Sequence, residues 1–186
     1  TIPKHRLFNK NLAGGSILDV GLYPISFSRL IAGVATGEKF LEPNFINAEA
    51  RIGETGVDEV AHANLEFKNG IKAKVSTAIR ESMKNNAVIT GSEGMIELPD
   101  PWMPGRQGGP YHAKIIINKN GNEEVTDVKG PEHLFFFEGE LASQCIAKEK
   151  TQPPHPAMTW EDTLGNLQAL DTWREKVNYK LPQDEI

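Results

Sequence analysis

The spacing of hydrophobic and polar positions along the chain divides it into helical and extended stretches. A lead-in of ten residues, with Pro3 and the Lys4-His5-Arg6 cluster, has no period and reads as an extended segment ended by Gly14 and Gly15. From Ser16 to Ala32 the apolar residues Leu18, Leu22, Ile25, Leu30 and Ile31, widened by Phe27, fall on one helical stripe. Gly33 is the expected stop. Pro24 lies inside this pattern and has no N–H to donate to the carbonyl of Val20, so the helix should kink there or begin late.

From Phe45 to Val128 the period becomes two. Ala61, Ala63, Leu65 and Phe67 alternate with His62, Asn64 and Glu66, and the Asn69-Gly70 pair predicts a two-residue hairpin turn. On the return strand Ile71, Ala73, Val75, Thr77 and Ile79 face one way, with Lys72, Lys74, Ser76 and Arg80 facing the other. A second hairpin joins Asn86–Thr90 to Met95–Leu98 through Gly91-Ser92-Glu93-Gly94, and a third joins Lys114–Asn118 to Glu123–Val128 at Asn120-Gly121. The Pro- and Gly-rich stretch from Pro99 to Pro110 predicts a long loop. Helical spacing returns at Glu132–Lys148, where Leu134, Phe137, Leu141 and Cys145 form a stripe broadened by Phe135, Phe136 and Ile146. After Pro153, Pro154 and Pro156, Thr159-Trp160-Glu161-Asp162 resembles a capping box with Asp in place of Glu. Trp160, Leu164, Leu167, Leu170, Trp173 and Val177 then recur at helical spacing. The fold class expected is α+β: an open, mostly antiparallel sheet with helices packed on one face, in one domain spanning 1–186.

Size and composition bound the function. A chain of 186 residues buries roughly 70% of its unfolded surface on folding. The single Cys145 excludes an internal disulfide framework and a Cys-rich zinc module. Twenty-five Asp plus Glu against 20 Lys plus Arg, a formal charge of −5, argue against a nucleic-acid partner. The apolar runs are short against the roughly 20 residues of a membrane span, so the expectation is a soluble, cytoplasmic protein with no membrane partner. Because the chain begins at Thr1, it is expected to be an excised part of a longer polypeptide.

The motif scan is mostly negative. There is no Gly-x-Gly-x-x-Gly fingerprint and no phosphate loop, so the chain offers no usual cradle for a dinucleotide. Nucleophile-elbow and zinc-helix motifs are also missing, and the histidines at 5, 62, 112, 133 and 155 are too scattered to predict a metal site. The carboxylate pairs Glu123-Glu124 and Glu161-Asp162 read as solvated turns and helix starts.

One segment, Gly14-Gly15-Ser16-Ile17-Leu18-Asp19-Val20-Gly21-Leu22-Tyr23-Pro24, departs from this background. On a helix the four-residue spacing puts Asp19 and Tyr23 on one face, with β-carbons roughly 5–6 Å apart, and Gly21 between them permits close approach. A carboxylate beside a phenol is a usable acid/base pair, provided that a cation favours the phenolate of a group that titrates near 10. The alternative is structural, with Asp19 stabilising the helix start and Tyr23 packing with its hydroxyl at the rim.

This run resembles the opening of the carboxy-terminal domain of the glucose–fructose oxidoreductase, inositol dehydrogenase and MocA (Gfo/Idh/MocA) superfamily. The shared pattern is paired glycines, then Asp, a Gly two residues later and His or Tyr four after the Asp. Thr55-Gly56-Val57-Asp58, the Phe67–Ala73 hairpin, Ile89-Thr90-Gly91-Ser92-Glu93-Gly94-Met95-Ile96 and Met158-Thr159-Trp160-Glu161-Asp162 follow in the family's order. The resemblance implies a domain of the dihydrodipicolinate-reductase-like carboxy-terminal type that carries the substrate site and an oligomer surface. It also implies NAD or NADP, bound mainly by an amino-terminal Rossmann domain absent from this chain. Tyr23 takes the place of the family's His or Tyr acid/base, as in glucose–fructose oxidoreductase and the dimeric dihydrodiol dehydrogenases, and Asp19 that of its aspartate. Arg6 matches an often basic position, which implies contact with substrate or cofactor. The family's catalytic lysine, in a Glu-Lys-Pro motif, has no counterpart here. The implied activity is oxidation of a secondary alcohol of a sugar, cyclitol or related polyol, with this chain inactive alone. The implied partner is a second copy through the open sheet face. The competing expectations are a non-enzymatic relative that senses a nicotinamide or sugar and binds a protein partner, and a structural or oligomerisation module without ligand.

Overall fold

In the computed structural model, which describes residues 5–104, 110 and 112–185, the first helical stripe divides at Gly21 into α1 (Ser16–Val20) and α2 (Leu22–Val34). Pro24 therefore sits in the first turn of α2, where an N–H would have no partner within the helix. The helical stretch begins at Ser16 as the pattern suggests, and its break falls at Gly21, three residues before the proline, rather than as a late start or a kink at Pro24. Gly21 stays in the right-handed helical well, at φ −64° and ψ −24°, so the backbone keeps its helical direction across the break. The lead-in is not extended where it is described: Arg6–Phe8 and Lys10–Leu12 are two 3-10 turns, capped by the side chains of His5 and Asn9.

The chain forms two compact units, one from 1–83 with 154–186 and one from 84–153. In the first, β1 (Asn44–Ile52), β2 (Asp58–Glu66) and β3 (Lys72–Ala78) pair antiparallel in that order. The alternation read from sequence holds: Ala61, Ala63, Leu65 and Val75 are buried, while Asn64, Lys72, Lys74 and Ser76 are exposed. Ile17, Ile25 and Ala32 from α1 and α2 join that buried face, as do Ala169, Leu170 and Trp173 from the carboxy-terminal helix, residues Trp160–Lys176. Trp173 is fully buried, its ring 6.3 Å from that of Phe45. The apolar stretch Lys10–Val34 has the length and composition of a membrane span, yet Ile17, Ile25, Arg29 and Ala32 within it are wholly buried in this core.

Two details depart from expectation. The β2–β3 loop holds three residues, Lys68-Asn69-Gly70, closed by a 2.7 Å bond from the amide of Phe67 to the carbonyl of Ile71. Only Gly70 has positive φ, the signature of a turn followed by one left-handed residue. In the carboxy-terminal helix, Trp160, Leu164 and Leu167 are exposed, and the buried face is instead Asp162, Gly165, Asn166, Ala169, Leu170, Trp173 and Arg174. The capping half of the Thr159 motif is present, with its hydroxyl accepting from the Asp162 amide at 3.2 Å.

In the second unit β4 (Ala87–Gly91), β5 (Gly94–Leu98), β6 (His112–Lys119) and β7 (Asn122–Lys129) form an antiparallel meander, followed by α3 (Leu134–Ala147). The Asn120-Gly121 turn is the predicted two-residue hairpin, with φ of 53° and 78°. In α3, Cys145 is buried and Leu134 and Leu141 are half-buried, whereas Phe135, Phe136, Phe137 and Ile146 are exposed. The expected Pro99–Pro110 loop lies partly outside the described residues. The fold is α+β, built of open antiparallel sheets and helices.

Candidate active site

The segment that the sequence singled out is built from three short pieces. Arg6 opens the first 3-10 turn, Asp19 lies in the last turn of α1, and Tyr23 lies in the first turn of α2. The structure joins two of them directly, with Arg6 Nη1 2.8 Å from Asp19 Oδ1. The Arg6 side chain is 68% exposed and that of Asp19 22%, so the pair sits at the surface with the carboxylate on its inner side. Tyr23, 45% exposed, follows one turn after Asp19, because Gly21 preserves the helical course. Gly21 itself is demanded by the chain: a β-carbon there would stand 2.3 Å from the carbonyl oxygen of Ile17.

Beneath the exposed groups lies a buried clamp that sequence reasoning missed. Asp58, fully buried at the start of β2, accepts from Ser16 Oγ at 2.7 Å and from the Ile17 amide at 2.8 Å, both on Oδ2. Thr77 Oγ1 donates to the Ser16 carbonyl at 2.9 Å, and the Tyr179 hydroxyl donates to the Gly14 carbonyl at 2.7 Å. Gly15 carries φ +112°, a left-handed conformation that favours glycine, and a β-carbon there would stand 2.0 Å from Asp58 Oδ1. Burial pushes the Asp58 carboxyl up from the ordinary carboxylate range, against the pull of the Ser16 and Ile17 donors. Burial and the Asp58 charge push Tyr179 up to about 12, so it donates as a neutral phenol. Phe8, Val57, Tyr179 and Leu181 pack as a separate small cluster around this clamp.

A second missed group is Arg29 of α2, fully buried. It donates to Asp162 Oδ1 at 2.5 Å, to Asn166 Oδ1 at 2.7 Å and to Glu42 Oε1 at 2.6 Å, and lies 4.7 Å from the Phe40 ring centre. A signal existed in the sequence, since position 29 is in helical phase with Ile25 and Ala32. The clamp had no such local signal, because Asp58 and Tyr179 meet the glycine segment only through the fold.

Among the described residues no group of three or more His, Cys, Asp and Glu is placed to hold a metal. The glycine turn before α1 does not fit a nucleotide diphosphate either. The Ile17 amide, which a phosphate would need, already donates to Asp58, and the carboxylate would repel an anion.

The sequence profile described as GFO/IDH/MocA C-terminal domain matches residues 2–97. The trans-1,2-dihydrobenzene-1,2-diol dehydrogenase of Xenopus laevis is 31% identical over 191 residues, covering 98% of this chain and 52% of that protein. The enzyme of the same name from Mus musculus is 26% identical over 181 residues, covering 94% of this chain and 50% of that protein. Among solved structures, KijD10, a 3-ketoreductase from Actinomadura kijaniata in complex with NADP and TDP-benzene, superposes with a TM-score of 0.74 at 22% identity. That match covers 93% of this chain and 49% of KijD10, and shows a shared fold. The chain spans about half the length of the curated relatives it matches. By that profile match, which spans just over half of its length, the chain belongs to the GFO/IDH/MocA C-terminal domain family.

Proposed function

We propose that this chain is the substrate-binding, catalytic-residue-bearing domain of a nicotinamide-dependent oxidoreductase that oxidises a secondary alcohol of a sugar, cyclitol or related polyol. NAD or NADP is held by a separate cofactor domain, and the chain alone is inactive. The observation that carries this reading is the surface cluster of Arg6, Asp19 and Tyr23, in which an ion-paired carboxylate and a solvent-accessible phenol share one helical course. The names of the dihydrodiol dehydrogenases place a vicinal diol among the substrates to try.

The hydride acceptor lies outside this chain; what the chain supplies is proton transfer and orientation. Tyr23 Oη takes the hydroxyl proton, and for this its phenolate must be favoured by a cation. Arg6 is already engaged by Asp19, so that cation comes from the cofactor domain, in keeping with the lysine the family implies. Asp19 accepts hydrogen bonds from a neighbouring hydroxyl of the substrate, and Arg6 offers its remaining guanidinium donors to the same polyol. The exposed polar face of β1–β3 is proposed as the surface that pairs with a second copy, which light scattering on the full-length protein would reveal as a dimer.

The test uses full-length protein with NAD and NADP, and trans-1,2-dihydrobenzene-1,2-diol and inositol as first substrates, followed at 340 nm. Tyr23→Phe should lower kcat by roughly 10²–10⁴-fold while nicotinamide affinity stays within about twofold. Unchanged turnover in that variant removes Tyr23 from the chemistry. Nicotinamide binding without turnover of any polyol favours a sensing relative over an enzyme.

A further inference from the structure

The clamp beneath α1 is more than a helix cap. α1 has five residues, too few for its own hydrogen bonds to hold it as a helix, so its position is imposed from outside. Two side chains fix its first turn: Thr77 Oγ1 donates to the Ser16 carbonyl, and Asp58 binds Ser16 Oγ and the Ile17 amide through one oxygen across 42 and 41 residues of sequence. Asp19 stands two residues beyond Ile17. We propose that Asp58 is a positioning residue, which sets where α1 presents Asp19 to Arg6 and to the neighbouring hydroxyl of the substrate.

Three features favour this over a role in stability alone. The other carboxylate oxygen, Oδ1, is buried without a hydrogen-bond partner among the described residues. It faces Gly15, whose backbone is itself in the left-handed region. A buried carboxylate with an unsatisfied oxygen carries a desolvation cost that a stabilising role alone does not call for. What Asp58 adds is one oxygen that gathers two donors, Ser16 Oγ at 2.7 Å and the Ile17 amide at 2.8 Å, and so fixes the first turn of α1 against β2. Thr77 and Tyr179 grip the Ser16 and Gly14 carbonyls on either side of Gly15, so the turn keeps those two anchors when Asp58 is loosened, and the α1 group released is the Ile17 amide. Misplacement of a substrate-orienting group by about 1 Å is enough to lose roughly a hundredfold in rate.

The inference rests on the proposed role of Asp19, and its test separates the two. In the full-length protein, Asp58→Asn and the milder Ser16→Ala are compared with wild type by hydrogen exchange and by NADP-linked oxidation of trans-cyclohexane-1,2-diol and cyclohexanol. For Asp58→Asn, exchange in 16–20 should accelerate at least tenfold with α2, β6 and β7 unchanged. Its kcat/KM for the diol should fall roughly 10- to 100-fold, and that for the single alcohol, which has no second hydroxyl for Asp19, less than threefold. Ser16→Ala should move both readouts the same way by a smaller factor, and it judges the clamp if Asp58→Asn does not fold. Equal losses on diol and single alcohol, or faster exchange throughout the protein, would overturn positioning in favour of a structural role. Unaltered exchange in 16–20 would overturn the clamp itself. If wild type oxidises neither alcohol, the proposed function fails for these substrates, and the exchange pattern still upholds or refutes the clamp.

Discussion

The two units read alike in sequence and differ in how their apolar faces are used. In the first, β2 is lined by Ala61, Ala63 and Leu65, each no more than 2% exposed, and Trp173 is closed over completely. In the second, β6 runs through Ile115, Ile116 and Ile117, yet each of these is only half-buried. Val88, Met95 and Val125 on the other strands of that sheet are exposed, and Cys145 is the buried hydrophobic side chain among the described residues there. The same alternation thus produced a closed core in one case and an open sheet in the other. Alternation states which side chains share a face; it does not state how much apolar surface is available to cover that face. The first unit draws cover from helices at both ends of its sequence, 16–34 and 160–176, while its strands lie between.

The comparison predicts unequal costs for similar truncations. Trp173→Ala should destabilise the first unit by about 3–5 kcal/mol, since it opens a cavity where no neighbour can collapse, while Ile117→Ala should cost the second only about 1 kcal/mol. Chemical denaturation followed by hydrogen exchange in β2 and β6 would check both, and equal losses would break the comparison. Arg29→Met should come next, at about 3 kcal/mol, because it removes one partner of a buried network and leaves Asp162 and Asn166 unmatched. Its effect should spread along α2 and the carboxy-terminal helix and spare β6 and β7. A loss below about 1 kcal/mol would mean that packing of the methionine offsets the network.

The smallest effect concerns pH, and its sign differs between the units. Asp58 is pushed up by burial, so between the unfolded value of 3.8 and its raised folded value the native state holds a proton that the unfolded chain has lost. Stability of the first unit from this group therefore falls as pH rises through that window. Asp127 in the second unit is held low, chiefly by its 2.8 Å hydrogen bond with His112. Its contribution is complete above 3.8 and is lost as pH falls through the lowered folded value. Carboxyl titration by NMR should place Asp58 above and Asp127 below 3.8, and Asp58→Asn should remove the first slope without touching the second.

How far the sequence could be read is clearest where one motif met two contexts. Asn120-Gly121 turned as a two-residue hairpin, as predicted, while Asn69-Gly70 was drawn into a three-residue loop. The dipeptide permits positive φ, but the register of the flanking strands decides which residue uses it. The carboxy-terminal helix shows the same limit, for Leu164 and Leu167 have the right period and stand in solvent, while Gly165 is buried because Arg29 passes where a larger side chain would collide. The candidate site was legible only as a list of residues, Arg6, Asp19 and Tyr23. That Arg6 and Asp19 form a pair was not.

The sequence by itself determined the order of the main strands and helices, the alternation of β2 and β3 and the family pattern from Gly14 to Tyr23. These follow from backbone sterics and from spacing over a few residues, which any stretch of chain carries within itself. Tertiary structure alone decided that Arg29 is buried against Asp162, 133 residues away, and that Tyr179 grips the Gly14 carbonyl across 165. It alone placed Asp58 beneath α1. Such contacts depend on where distant segments come to rest, and a buried charge is tolerated only once partners from those segments surround it.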